Sequence, residues 1–379
     1  MTGPLAGLQV VELVGLAPAP FAATVLADLG AEIVRIDRAR PGPDVLSVPN
    51  DPLTRGRRWI GLDTKSPRGK ELALRLIDGA DVLIEGFRPG VTERLGLGPA
   101  DCLARNPRLV YGRITGWGQD GPLASAAGHD INYIGLAGAL EPIGRAGERP
   151  VPPLNLLGDF GGGGLLLAMG VLAALVERQT SGRGQVVDAS MVDGAALLTT
   201  ALHGLRNIGL WNRGRGENML DGGAPFYDTY ETADGRYVAV GAIEERFWAD
   251  LLRVLDVDPD EVAGRLDPAR WPAVRERLAA VIRTRTRDEW AKLAEGTDAC
   301  LTPVLTPAEA VGHPHNVARK SFVDVAGQPQ PAPAPKFGRT PAGPPAPPHR
   351  PRSDTTDVLT GLGLSAAEIE ELRSEGVVA

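Results

Sequence analysis

The sequence predicts an α/β fold, a large doubly wound, Rossmann-like parallel-sheet domain followed by a smaller α+β domain. Two observations predict it. Short apolar runs alternate with helical stretches across residues 8–115, which is the rhythm of βαβ units. After a Gly- and Asn-rich stretch at residues 205–223, the pattern changes to a hairpin followed by helices.

Each element has its own reason. Residues 8–14 (LQVVELV) read as a buried strand interrupted by Glu12, and residues 21–29 as a helix closed by Gly30. Residues 31–37 (AEIVRID) and 58–63 are further strands, residues 66–78 a helix and residues 81–87 (DVLIEGF) a strand. A short helix at 99–105 leads to the strand at 109–115. The run GDFGGGGLLLAMGVLAALVERQ from Gly158 predicts a helix, and residues 191–204 another apolar one. Strands at 227–230 and 236–241 flank the turn Ala233-Asp234-Gly235. Helices follow at 245–254, 271–285 and 287–294. Residues 328–351 are Pro-rich and extended, and Ser365 caps a last helix at 365–374. The division is therefore 1–204 for the large domain, 205–223 for a linker and 224–327 for the small domain. Residues 328–379 hold the extended tract and the C-terminal helix.

Composition narrows the function. A chain of 379 residues is long for one core and favours two domains. Its 48 glycines and 33 prolines are about a fifth of the chain, against roughly an eighth on average. Disorder does not explain them, because 43% of residues are hydrophobic and only 23% charged. A net charge of −7 leaves no global basic field for nucleic acid. Cys102 and Cys300 stand far apart in unrelated contexts, so neither a disulfide framework nor a metal knuckle is indicated, and a reducing cytoplasm is expected. No basic leader opens the chain, and the uncharged run at 160–176 is short for a membrane span. It reads as a buried core helix.

A doubly wound sheet invites a dinucleotide, but the first turn reads Gly15-Leu-Ala-Pro-Ala-Pro20 rather than G-x-G-x-x-G. Prolines there remove the N–H groups that a pyrophosphate needs. The general rule still places ligands beyond the carboxyl ends of the strands, near Gly15, Arg38, Gly86 and Gly116. Among the histidines, His203 sits on an apolar helix and reads as core. His313 and His315 flank a proline without a third ligand, and His349 lies in the proline tract. His129 differs, since Asp130 beside it can orient an imidazole. Asp159 stands where a helix N-cap belongs, and capping would lower its pKa. Four glycines follow it, each costing a helix about 0.8–1 kcal/mol relative to Ala. A cap alone does not need them, so they read as access for a ligand or another chain.

Three blocks carry a wider likeness: GRITGWGQDGP (112–122), GHDINY (128–133) and NLLGDFGGGG (155–164). With EGFRPGVTERLGLGP (85–99), NMLDGGAPFYDTY (218–230) and GAIEERFW (241–248), they resemble the family III CoA-transferase superfamily over nearly the whole chain. Within it they look most like the branch that inverts 2-methyl-branched acyl-CoA thioesters. That resemblance implies a racemase acting at C2 by 1,1-proton transfer through an enolate, with His129 and Asp159 as the two bases. Asp130, Asn155 and Glu244 match positions that orient or tune them, although Glu245-Arg246 depart from the expected less charged residues. The same resemblance places CoA against Arg38, Leu62, Asp63, Thr64, Lys65, Gly86, Arg88, Arg94, Gly128, Ile131, Asn132 and Tyr133. It implies an interlocked homodimer in which residues 328–379 are an extended return that rejoins the large domain, and no cofactor beyond the CoA of the substrate; the residues themselves point to no membrane association and no metal. The competing reading is a CoA-transferase using Asp159 as covalent nucleophile, which would have no need of His129 as a second base.

Overall fold

The computed structural model describes residues 2–40 and 51–379. These divide into two compact units. The first comprises residues 1–137, 154–198 and 315–379, and the second residues 138–153 and 199–314. Residues 138–153 thus go with the smaller unit, although the sequence-based division leaves them in the larger one.

In the first unit the chain alternates β1 (Gln9–Leu13), α1 (Pro18–Asp28), β2 (Glu32–Arg38), β3 (Arg57–Leu62), α2 (Pro67–Asp78) and β4 (Val82–Glu85). It continues through α3 (Val91–Leu95), α4 (Pro99–Arg105), β5 (Val110–Thr115) and α5 (Asp130–Leu136). A wide helix (Leu156–Leu165), α6 (Leu166–Ser181), β6 (Val186–Ser190) and α7 (Met191–Leu198) complete this part. All six strands pair in parallel, in the order β3-β2-β1-β4-β5-β6. This is the doubly wound order, with its crossover point between β1 and β4.

Alternation along the strands sorts two cores. Val10, Ile33, Val82 and Ile84 pack with α1 and α6, while Val11, Leu13, Val34 and Leu83 pack with α2 on the other side. Glu12 shares the parity of Val10 and is fully buried. Arg35 meets it at 2.7 Å from β2 alongside, and Arg57 at 2.5 Å from β3, one strand farther out. Burial depresses the Arg57 pKa, against the attraction of Glu12.

By length and composition, one helix among the described residues, Leu156–Ser181, could cross a membrane. Leu167, Ala168, Val171 and Leu175 of it are buried against the sheet. The helix expected from 191 to 204 is two helices, α7 and α8 (Thr200–Asn207). On α8 His203 is exposed rather than core.

The C-terminal return seals an open edge. β3 ends the sheet, so its outward N–H and C=O groups need partners other than a strand. Trp59 N–H donates to Asp354 Oδ2 at 2.7 Å, and Asp354 N–H donates back to the Trp59 carbonyl at 3.1 Å. Gly61 N–H donates to Thr355 Oγ1 at 3.2 Å, and Ala379 N–H to the Gly61 carbonyl at 3.2 Å. Two C-terminal helices, Thr355–Gly361 and Ala366–Ser374, bury Val358, Leu359, Ile369 and Leu372 in the α2-side core. The Ser365 cap forms as expected, accepting from Glu368 N–H.

The second unit holds the expected hairpin, Tyr227–Glu231 with Tyr237–Gly241, and Leu301–Pro303 adds a third antiparallel strand. Helices Glu245–Leu255, Trp271–Ile282 and Arg287–Ala294 bury Trp248, Leu251, Leu278 and Trp290 against it. The stretch at 205–223 is more structured than a linker. α8 runs into it, Asn218 is buried, and Asp221 accepts the N–H groups of Gly216, Asn218 and Gly223.

Candidate functional site

Two helix starts meet in the first unit. His129 is the N-cap of α5, with extended backbone, and its N–H donates to Asn132 Oδ1 at 3.0 Å. That bond fixes the backbone and leaves the exposed ring outside the helix. Asp130 follows and is buried. Its Oδ2 accepts the backbone N–H of Asp159 at 2.7 Å, tying α5 to the wide helix. A Cβ on Gly158 would stand 2.5 Å from that same Oδ2, so only glycine permits the approach.

Asp159 differs from its expected role. The wide helix begins at Leu156 with Asn155 as its N-cap, which puts Asp159 in the first turn and not at the cap. Its Oδ2 accepts from the Asn155 side-chain amide at 3.1 Å. Its pKa is raised, where capping would have lowered it. Burial is the main cause and Asp130 adds to it, while the Asn155 amide and the nearby His129 favour the ionised form. A carboxyl and an imidazole therefore lie within electrostatic reach of each other.

The glycine run serves packing more than access. A Cβ on Gly162 would meet Ala195 N at 2.7 Å, and one on Gly164 would meet the Pro18 carbonyl at 2.7 Å. On α7, a Cβ at Gly194 would fall 1.8 Å from the Gly162 carbonyl. The wide helix is thus threaded between α7 and α1 at backbone contact, which fixes where Asp159 stands.

A groove of about 690 Å³ opens beyond the carboxyl ends of β1, β2, β3 and β4. Arg38, Leu62, Asp63, Thr64 and Lys65 line it over an apolar floor that includes Val14 and Phe87. A smaller pocket of about 210 Å³ shares Thr64 and Lys65 and adds Ser66, Lys70 and Arg94. Among the described residues no carboxylate forms an ion pair with Lys65, Lys70 or Arg94. The smaller pocket is cationic, as an anionic ligand requires.

The remaining candidates fall elsewhere. Tyr133 is buried, its ring edge-on to Trp117 with centroids 4.7 Å apart, and its hydroxyl donates to the Gly128 carbonyl. Burial raises its pKa, Asp159 and Asp130 add to this, and the charge of Arg88 opposes it. Gly86 packs toward α1, where a Cβ would stand 3.2 Å from Ala19 Cβ. Ile131 is exposed on α5. Glu244 belongs to the second unit, as the exposed N-cap of its helix. Its neighbours are occupied elsewhere: Glu245 pairs with Arg265 at 2.9 Å and Arg246 lies over the Phe247 ring. Among the described residues no group of three or more His, Cys, Asp or Glu gathers as a metal site.

Residues 5–366 match CoA-transferase family III. The chain belongs to this family. This family III member is 49% identical over 378 residues to the alpha-methylacyl-CoA racemase of Mus musculus, across 99% of this chain and 97% of that protein. It is 47% identical over 381 residues to the alpha-methylacyl-CoA racemase of Homo sapiens, with the same two coverages. A solved CaiB/BaiF family protein from Brucella suis superposes with a TM-score of 0.81 at 25% identity, over 96% of this chain and all of that one.

Sequence reasoning missed part of the groove and of the pocket beside it. Lys70, Arg40, Glu375 and Gly376 line the two cavities. Lys70 had a signal, being one of only five lysines in a chain where arginine dominates. Glu375 and Gly376 had none, because their place depends on the return of the C-terminal segment to β3.

Proposed function

We propose that this chain is a racemase that inverts C2 of 2-methyl-branched acyl-CoA thioesters by 1,1-proton transfer, with His129 and Asp159 as the two bases. The observation that carries the reading is the pairing of an exposed imidazole with a half-buried carboxyl at two helix starts joined by the Asp130–Asp159 hydrogen bond. The racemase names of the two mammalian relatives support it. Inversion needs one base to remove the α-proton and another to return a proton to the opposite face of the planar enolate. Each positioned base contributes roughly 10²–10⁴-fold. Asp130 holds the start of the wide helix, and Asn155 steadies the Asp159 carboxylate. Donors for the enolate oxygen must be groups other than Asp159 N–H, which is committed to Asp130. The groove at the strand ends takes the CoA, and no cofactor beyond that CoA is invoked. The exposed side of the long helix at Leu165, Met169 and Val176 supports a homodimer, and the two free cysteines support a cytoplasmic setting.

Incubation of either 2-methylacyl-CoA epimer in D2O will exchange the α-hydrogen and produce both epimers. Transfer of CoA to a free acid without exchange would overturn the reading in favour of a transferase with Asp159 as nucleophile. His129→Ala will lose turnover by about 10²–10⁴-fold with CoA affinity kept; unchanged turnover removes His129 from the mechanism. Asn155→Leu removes a donor that favours the ionised Asp159, so the acid limb of the rate profile will move to higher pH. An unmoved limb would dissociate that limb from Asp159.

A further inference from the structure

We infer that Arg352 is a positioning residue of the groove, holding the Asp37–Arg38 end of β2 in the form that receives the CoA nucleotide. The inference rests on the groove being the CoA site. Arg352 lies on the C-terminal return, 314 residues beyond Arg38 in the chain. Its Nε–H donates to the Arg38 carbonyl at 2.8 Å, and its Nη2 stands 3.5 Å from Asp37 Oδ2. The aliphatic stem covers Gly61, where a Cβ would lie 2.9 Å from Arg352 Cδ. The backbone of Arg352 has a φ of 66°, a region unfavourable for a residue with a Cβ. Its surroundings hold it there, with the Thr355 hydroxyl donating to the Arg352 carbonyl at 3.0 Å.

Two effects follow for the ligand. The first is geometric. Asp37 Oδ1 accepts the Arg38 N–H at 2.7 Å, so Arg352 grips both the carbonyl of Arg38 and the carboxylate that fixes its amide. The second is electrostatic. Asp37, Asp63 and Glu375 all line the groove, although CoA brings a diphosphate and a 3′-phosphate. Arg68 offsets Glu375 at 2.7 Å, and Arg352 does the same for Asp37. Without Arg352, an uncompensated carboxylate faces an anionic ligand.

The test compares the unchanged chain with Arg352→Met and Arg352→Lys, by calorimetry with free CoA and by steady-state racemisation. Arg352→Met will raise the Kd for CoA and the KM for the thioester about tenfold, the worth of a charged hydrogen bond, with kcat kept. Arg352→Lys, which keeps the charge but not the forked donor, will fall between the two and also secures the test where the Met variant fails to fold. Asp37→Asn in the Met background will recover part of the loss. Equal Kd and KM in the Met variant, or a fall in kcat alone, overturns the role of Arg352. Failure of the unchanged chain to bind CoA overturns the groove assignment itself, and this inference with it.

Discussion

Asp159→Asn will lose racemisation by about 10²–10⁴-fold while binding CoA as the unchanged chain does. The amide cannot accept the α-proton, yet it fills the same space and can still receive the Asn155 donor. A stability measurement separates this from simple damage. Burial raises the Asp159 pKa above that of an unfolded chain, about 3.9. The native state therefore favours the protonated carboxyl. The stability this group contributes is complete below the unfolded pKa and is lost as pH rises through the folded one. At pH 7 the carboxylate works against the fold. Asparagine, neutral at every pH, will raise the Tm at pH 7, with the gap closing on acidification. Thermal unfolding across pH 4–7 checks the sign, and a lower Tm at pH 7 would refute it. On the proposed two-base mechanism, a base held at a cost to stability is the expected trade-off.

Glu12→Ala will destabilise the first unit by about 3–5 kcal/mol, read as a lower urea midpoint. Glu12 joins two guanidiniums, Arg35 at 2.7 Å and Arg57 at 2.5 Å, in a place where water cannot replace it. Removing the carboxylate leaves two buried cations facing each other. The Coulomb gain of the intact cluster roughly offsets its desolvation, so the large cost comes from breaking it and not from its net worth. A loss below about 1 kcal/mol, the range of an exposed pair, would refute the account.

Much of the fold was legible because its signals are local. The rhythm of β1 to β5 lies in short apolar runs, and the hairpin around Gly235 in its turn residues. The wide helix was not legible, since apolar periodicity cannot distinguish a wide turn from an α-turn. Asp159 was accordingly misread as a cap. The glycines after it report close contacts with α1 and α7, which are residues distant in the chain. Arg38 could be placed because the ends of parallel strands are ligand positions whatever the ligand, whereas Thr64 and Lys65 came only from the family resemblance. Their partners Arg352, Glu375 and Gly376 could not, because only the folded return brings them there.

That return has a consequence for how the protein is made. The bond from Trp59 to Asp354 spans 295 residues. At about 5–20 residues per second, the ribosome takes roughly 15–60 s to deliver the partner after β3 has emerged. For that interval the nascent sheet carries a strand edge with no native cover, open to pairing with neighbouring chains. Yield in the cell will therefore depend on chaperone supply and on the spacing of ribosomes along the message, even for variants whose finished fold is as stable as the parent.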